Sequence, residues 1–197
     1  FRLTGSYFNN SGVIPNNKYN RYNFKLSNNT KLWDGKLVIS PSISYINSKN
    51  IKPTRGAGGY VLDLYAWPSI DNASNYLDDQ GNKRLLYATD YNSEVLDNPF
   101  FSANRNYGQD NTTRWIATLG IDLKPVDWLT IAGRFGYDTY NQDGYILTDP
   151  QSSTLKAASK GFLSNYYLNY KGYNHTITAT ATKKAGKFGF RGMIGTM

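Results

Sequence analysis

From Thr113 to Tyr140 the apolar residues fall on every second position on both sides of one short interruption, a period that strands show and helices do not. Trp115, Ala117, Leu119, Ile121 and Leu123 share one face of the first arm, against Arg114, Thr118, Gly120, Asp122 and Lys124. In the second arm Leu129, Ile131, Gly133, Phe135 and Tyr137 oppose Thr130, Arg134 and Asp138. Pro125-Val126-Asp127 is expected to turn the chain, because proline cannot donate to a ladder and Asp favours turns. Each arm runs about ten residues, long for a water-soluble domain and matched to a tilted strand crossing a bilayer, which takes about 9–11.

The same alternation organises the rest of the chain. Phe1, Leu3, Gly5 and Tyr7 start a strand that ends at the turn formers from Asn9 to Pro15. A second runs from Tyr19 to Trp33, with Tyr22, Phe24, Leu26 and Leu32 on one face. Asp34-Gly35 is a two-residue hairpin signal. The return strand, Lys36 to Ser48, sets Leu37, Ile39, Ile43 and Tyr45 against Val38, Ser40, Ser42 and Ser44; Pro41 marks an edge or a bulge. Phe162 to Tyr170 and His175 to Lys183 are expected to pair around a turn at Lys171-Gly172-Tyr173-Asn174. A last strand with Phe188, Phe190 and Ile194 follows the basic turn Lys183 to Lys187. The expectation is therefore an all-β chain of eight antiparallel strands, with Trp33, Trp128, Tyr45 and Tyr137 near strand ends as candidate interfacial aromatics.

Composition supports this class. Aromatic residues reach 15%, with 17 Tyr, a mix that suits strands and disfavours helix. Mean hydropathy is −0.56 and no apolar run is long enough for a membrane helix, which leaves a membrane β-barrel open, since its strands alternate and average out polar. The net charge of +8 comes from scattered Lys and Arg without a basic run or an RNA-binding aromatic motif, so no nucleic-acid partner is expected. Zero cysteine removes thiol catalysis and cysteine metal sites. Both ends lie inside alternating stretches, so the chain reads as cut from something longer.

Two connections break the pattern. The longer runs from about residue 49 to 112, the shorter from about 141 to 161. Loops of such length are functional or disordered, and the aromatics Tyr60, Tyr65, Trp67, Tyr76, Tyr87, Phe100 and Phe101 argue against disorder in the first. Tyr65, Trp67 and Tyr76 are candidates for stacking on sugar rings; packing of the loop against itself or a capping partner explains them at least as well. Asp78, Asp79 and Asn82 lack the spacing of a calcium loop and read as a hydrophilic hairpin turn. Asp122 and Asp138 are expected to be solvated or paired with Arg114 and Arg134 rather than to act as an acid/base couple. His175, the only histidine, lies at the expected turn and has no second ligand, so neither metal, cofactor nor enzymatic activity is expected. Ser40, Ser42, Ser44, Arg114, Thr118, Arg134 and Asp138 form the polar face, which in a barrel lines the lumen.

Several stretches, in order, carry a resemblance. Asn-Asn-Ser-Gly-Val-Ile-Pro-Asn at 9–16, Tyr19-Asn20-Arg21, Trp67-Pro68, Tyr76-Leu77-Asp78-Asp79-Gln80-Gly81, Leu96-Asp97-Asn98-Pro99-Phe100 and the hairpin from Arg114 to Tyr140 resemble the barrel of SusC/RagA-like TonB-dependent transporters of Bacteroidetes. The resemblance implies a bacterial outer-membrane barrel of about 22 strands around an N-terminal plug. It implies import of oligosaccharides or peptides, a SusD-like lipoprotein cap and energy from TonB. This chain, residues 1–197, would be an arc of barrel wall with extracellular loops, without plug or TonB box. Two other readings of the residues stay open, a self-contained small outer-membrane barrel with a structural or adhesive role and a soluble carbohydrate-binding β-protein.

Overall fold

The computed structural model describes residues 1–56, 58–86, 96–153 and 160–197; Tyr87 lies outside them. The strands are β1 (Arg2–Ser11), β2 (Lys18–Ser27), β3 (Thr30–Leu32), β4 (Leu37–Pro53), β5 (Tyr107–Val126), β6 (Leu129–Thr148), β7 (Phe162–Ala185) and β8 (Phe188–Thr196). Helices α1 (Tyr60–Ala66) and α2 (Pro99–Arg105) lie between β4 and β5. All pairings are antiparallel, in the order β1-β2-β4-β5-β6-β7-β8 with β3 beside β4, and the sheet is open.

The expected strand count of eight is met by different strands. Lys171-Gly172-Tyr173-Asn174 is no turn: β7 runs through it, paired residue for residue with Gly136 to Thr139 of β6. Locally the four residues have turn chemistry, but a 20-residue β6 offers an uninterrupted template for them. His175 accordingly sits mid-strand opposite Phe135. The lost strand is replaced by β3, cut from the end of the expected Tyr19 to Trp33 strand. The break falls beside Pro41, whose carbonyl accepts from Asn28 N at 3.0 Å in the gap between the β2 and β3 ladders. Proline has no N–H to offer there, so the ladder lapses for two residues without a change of register, and Pro41 lies on an interior strand, opposite Leu119, rather than at an edge or a bulge.

Turns divide by rim. Trp33 to Lys36, Asp127-Trp128 and Gly186-Lys187 close one rim, and the connections 12–17, 54–106 and 149–161 lie at the other. At the first of these turns Trp33, Asp34 and Gly35 all take positive φ (53°, 54° and 86°), so the loop is longer than the expected two residues. The strands also run beyond the expected hairpins: β4 reaches Pro53, β5 begins at Tyr107 and β6 ends at Thr148, which shortens both long connections.

Alternation stays in phase across the sheet. One continuous line of partners is Leu3, Leu26, Ile43, Ala117, Tyr137 and Tyr173; a line on the opposite face is Thr4, Lys25, Ser44, Ile116, Asp138 and Gly172. Among the described residues, no second layer covers either face of the sheet. The buried apolar side chains Phe101 and Ala103 are in α2, and on the strands the one buried apolar side chain among the described residues is Pro53, at the loop end of β4.

Candidate functional site

The apolar face ends along a row. Inside it lie Tyr7, Tyr22, Tyr45, Trp115, Tyr137 and Tyr173, paired as neighbours with ring centroids 4.8, 4.7 and 4.9 Å apart. Beyond it the same face turns polar, at Asn9, Asn20, Asn47, Thr113, Thr139 and Lys171. Tyr45 and Tyr137 thus belong to this row, in mid-strand rather than near strand ends, while Trp33 and Trp128 sit at the tight-turn rim. Register makes the row a staircase. Tyr22 faces Asn47, two residues past Tyr45, and Trp115 faces Thr139, two residues past Tyr137. Two residues of rise for every two strands of width corresponds to strands inclined by roughly 35° to the normal of the row.

On the polar face two arginines are paired with aspartates, while Arg21 and Lys25 of β2 on the same face make no ion pair among the described residues. Arg114 donates to both carboxylate oxygens of Asp138, at 2.8 and 2.5 Å, and Arg134 to both of Asp122, at 2.7 and 2.9 Å. The first pair, through Nε and Nη2, holds the planar fork of Arg114 in one orientation, whereas Arg134 reaches both oxygens through Nη2 alone. Ser42 and Thr118 share a hydrogen bond of 2.8 Å, and Ser40 accepts from Asn29 at 3.0 Å. Ser40, Ser42, Ser44, Arg114, Thr118, Arg134 and Asp138 all lie on this face. Above Gly120, Gly136 and Gly172 is an open trough of about 620 Å³, bordered by Ser40, Thr118, Arg134, Asp138, Tyr170 and Asn174. The Tyr170 ring stacks on Tyr140 (centroids 5.2 Å, interplanar angle 23°), and the Arg114 guanidinium lies 5.9 Å from the Tyr140 ring centroid.

At the opposite rim the three long connections are fastened together. α2 starts at Asn98-Pro99, where the Asn98 side chain accepts from Phe100 N at 2.8 Å and Pro99 occupies the first helical turn. Asn16, in the connection 12–17, donates to Ala103 O at 3.3 Å and Asn104 Oδ1 at 2.6 Å. Asp97 is the hub of the rest. Its carboxylate accepts from Lys83 Nζ at 2.6 Å, Ser152 Oγ at 2.5 Å, and Ser153 N and Oγ, each at 2.9 Å. Lys83 and Asp97 are both buried, so their attraction acts with little screening and the added donors satisfy the remaining lone pairs. Asn106 links the same group to the sheet end, donating to Ser152 Oγ at 2.8 Å and accepting from Asp149 N at 3.0 Å. Nearby, Ser102 Oγ donates to buried Asp63, whose carboxyl is pushed up to about 6 by burial.

The expected sugar-stacking residues are not assembled. Tyr65 is 85% exposed on α1. Trp67 donates to Asp71 at 2.8 Å, and Arg84 donates to the same carboxylate, holding it below the usual range. Among the described residues no ring contact joins Tyr65, Trp67 and Tyr76, which makes the self-packing explanation the better one for Trp67. Asp78 caps a hairpin turn, accepting from Gln80 N and Asn82 N at 2.9 and 2.8 Å, as its turn reading anticipates. Missed altogether were Lys83, Asp97, Asn106, Ser152 and Ser153. Asn98-Pro99 was a usable helix-start signal, whereas the partners of Asp97 lie 14 and 55 residues away and leave no local trace.

No protein-family model matches the sequence, and no curated protein matches it. Among solved structures the chain is similar to one described as the RagAB peptide importer in the 'closed-closed' state, with a TM-score of 0.72 and 14% identity. The match covers 98% of this chain and 22% of that one, so the chain spans about a fifth of its neighbour's length. At this identity the likeness is one of fold, and the fold is an eight-stranded arc of antiparallel sheet like one in that importer.

Proposed function

We propose that the chain is a wall segment, with its outer loops, of a TonB-dependent transporter in a bacterial outer membrane that imports oligosaccharides or peptides. The observation that carries this is the uncovered apolar face, bounded by a tilted row of aromatics and set opposite a polar face with the Arg114–Asp138 and Arg134–Asp122 ion pairs. From the tight-turn rim to the row the apolar run is roughly 27 Å along β6 and 36 Å along β5. At an inclination of about 35° this becomes roughly 22 to 30 Å of height, against an apolar band of about 25 Å on outer-membrane barrels. The apolar side then meets lipid, and the side with Ser40, Ser42, Ser44, Arg114, Thr118, Arg134 and Asp138 lines the lumen.

Other features fit the same reading. With the turn at 171–174 gone, all tight turns share one rim and all long connections the other, the arrangement of periplasmic turns and extracellular loops. The fastened loops present Val61, Leu62, Leu64, Tyr65 and Ile70 to solvent, an apolar patch suited to a SusD-like lipoprotein. TonB would act through a plug elsewhere in the full protein. The role is conduction and binding, not catalysis, and needs no cofactor or metal. A soluble sandwich would need a second layer over the apolar face. A self-contained barrel would need β1 to pair with β8, which here form opposite edges of the sheet.

The test is the intact mass of the native polypeptide from purified outer membranes, with its peptides sequenced by mass spectrometry. The expected result is a membrane protein several times the 22.2 kDa of this chain, carrying a plug upstream. A mature protein of about this mass, or one recovered in the soluble fraction, overturns the proposal.

A further inference from the structure

The trough on the polar face has a lining that selects among ligands. Its charged groups are spent on one another, since Arg114 holds Asp138 and Arg134 holds Asp122, each by two hydrogen bonds. Arg134 also donates through Nη1 to the carbonyls of Gly133 and Ile121, at 2.8 and 3.2 Å, so both terminal nitrogens of its guanidinium are engaged. Within the trough a ligand bearing a net charge therefore meets no unpaired counter-charge, and capturing one there would mean breaking an ion pair.

Two features are free. The Asn174 side chain leans over Gly136, where a Cβ would come within 2.2 Å of its Oδ1, and its amide makes no hydrogen bond among the described residues. It offers one acceptor and two donors to the trough. The Tyr170 ring, 45% exposed, stacks on Tyr140 and lies beside Gly172, where a Cβ would meet the Tyr170 hydroxyl at 2.5 Å. Glycines at 136 and 172 are thus what let these side chains lie down along the wall instead of standing off it.

We propose that this trough is a binding subsite for a single neutral pyranose ring, with the Tyr170–Tyr140 stack as its platform and Asn174 as its hydrogen-bonding arm. The apolar C–H face of a hexose covers an aromatic ring. Its rim of hydroxyls, each both donor and acceptor, reaches the Asn174 amide and the outward lone pairs of the Asp138 carboxylate without displacing Arg114. An apolar side chain of a peptide would cover the ring but strip water from Asn174 and the ion pairs with nothing in return. The volume of about 620 Å³ admits one sugar unit with its glycosidic neighbours projecting from the open side. The subsite lies on the face opposite the aromatic row, and its lining at Ser40, Thr118 and Arg134 extends from the level of that row toward the tight-turn rim.

This inference rests on the importer reading and deepens it. The test uses the full-length protein in detergent, titrated calorimetrically with neutral hexose oligosaccharides of several linkages and, separately, with a mixed peptide library. Expected are binding of at least one neutral oligosaccharide, a loss of affinity of roughly tenfold or more in Tyr170→Ala and in Asn174→Ala, and retention in Tyr170→Phe. Normal membrane assembly of all three variants is the accompanying control. Binding of peptides alone overturns the sugar subsite while leaving the importer reading intact, as does sugar binding indifferent to both alanine variants. Absence of any oligosaccharide binding by the wild-type protein also overturns it. The importer reading itself fails separately, on native mass and membrane fractionation.

Discussion

Leu119→Arg is the substitution that most directly tests which face meets lipid. On β5 the apolar run extends from Trp115 at the aromatic row to Val126 at the tight turn, and Leu119 lies within about 4 Å of its middle in height. A cationic side chain at that depth costs about 2–4 kcal/mol in an outer-membrane barrel, and the cost falls to about 0–1 near the interfaces. Ile131→Arg, nearer the turn rim on β6, should cost somewhat less, and Trp115→Arg less again. Ser42→Arg, whose Cα partner is Thr118 on the opposite face, should be nearly neutral because water receives the charge. The assay is guanidinium unfolding of the full-length protein in lipid vesicles, alongside the fraction assembled in outer membranes. A graded loss in the order Leu119, Ile131, Trp115 supports the assignment. A large loss for Ser42→Arg with none for Leu119→Arg means the faces are reversed, and equal tolerance of all four means no bilayer contacts this sheet.

Three further predictions concern the loops and β7. Asp97→Ala removes the buried carboxylate on which Lys83, Ser152 and Ser153 converge, a loss on the order of 3 kcal/mol that should open the loops selectively; limited proteolysis should then cleave within 54–106 or 149–161 while the strands stay protected, and an unchanged cleavage pattern refutes the hub role of Asp97. Asp63 binds its proton more tightly folded than unfolded, so its carboxyl favours the loop fold most at low pH, and that contribution is lost as pH rises from about 3.8 through about 6. Asp63→Asn should therefore stabilise the loops by on the order of 2 kcal/mol at pH 8 and flatten their pH profile, with Ser102 still donating to the amide oxygen; a loss of protection at pH 8 in hydrogen exchange contradicts the burial argument. Backbone amides of Lys171 to Asn174 that point into the sheet should exchange as slowly as those of their β6 partners Gly136 to Thr139; fast exchange confined to these four residues restores the turn.

Much of the sheet was legible because a strand writes its two faces into a period of two. The separation of Leu119 and Ile131 from Arg114, Thr118, Arg134 and Asp138 needs only the pleat, and so does the pairing of Asp122 and Asp138 with nearby arginines across one hairpin. What the period cannot convey is where a strand stops. Lys171-Gly172-Tyr173-Asn174 has the residues of a turn, yet it is strand because β6 holds a ladder against it, and that partner is about 30 residues away in sequence. The aromatic row, too, exists only through register: Tyr7, Trp115 and Tyr173 are unremarkable one at a time and line up once six strands are set side by side. The loop body was the least legible part. Its helices are seven residues each, too short for a periodic signal, and its anchor joins Asp97 to Lys83, Ser152 and Ser153 from two separate connections. Alternation is a local consequence of backbone geometry and is carried by the residues themselves. Strand length, band height, the trough over Gly136 and Gly172 and the buried network all arise from contacts between distant segments, which only the folded sheet brings into register.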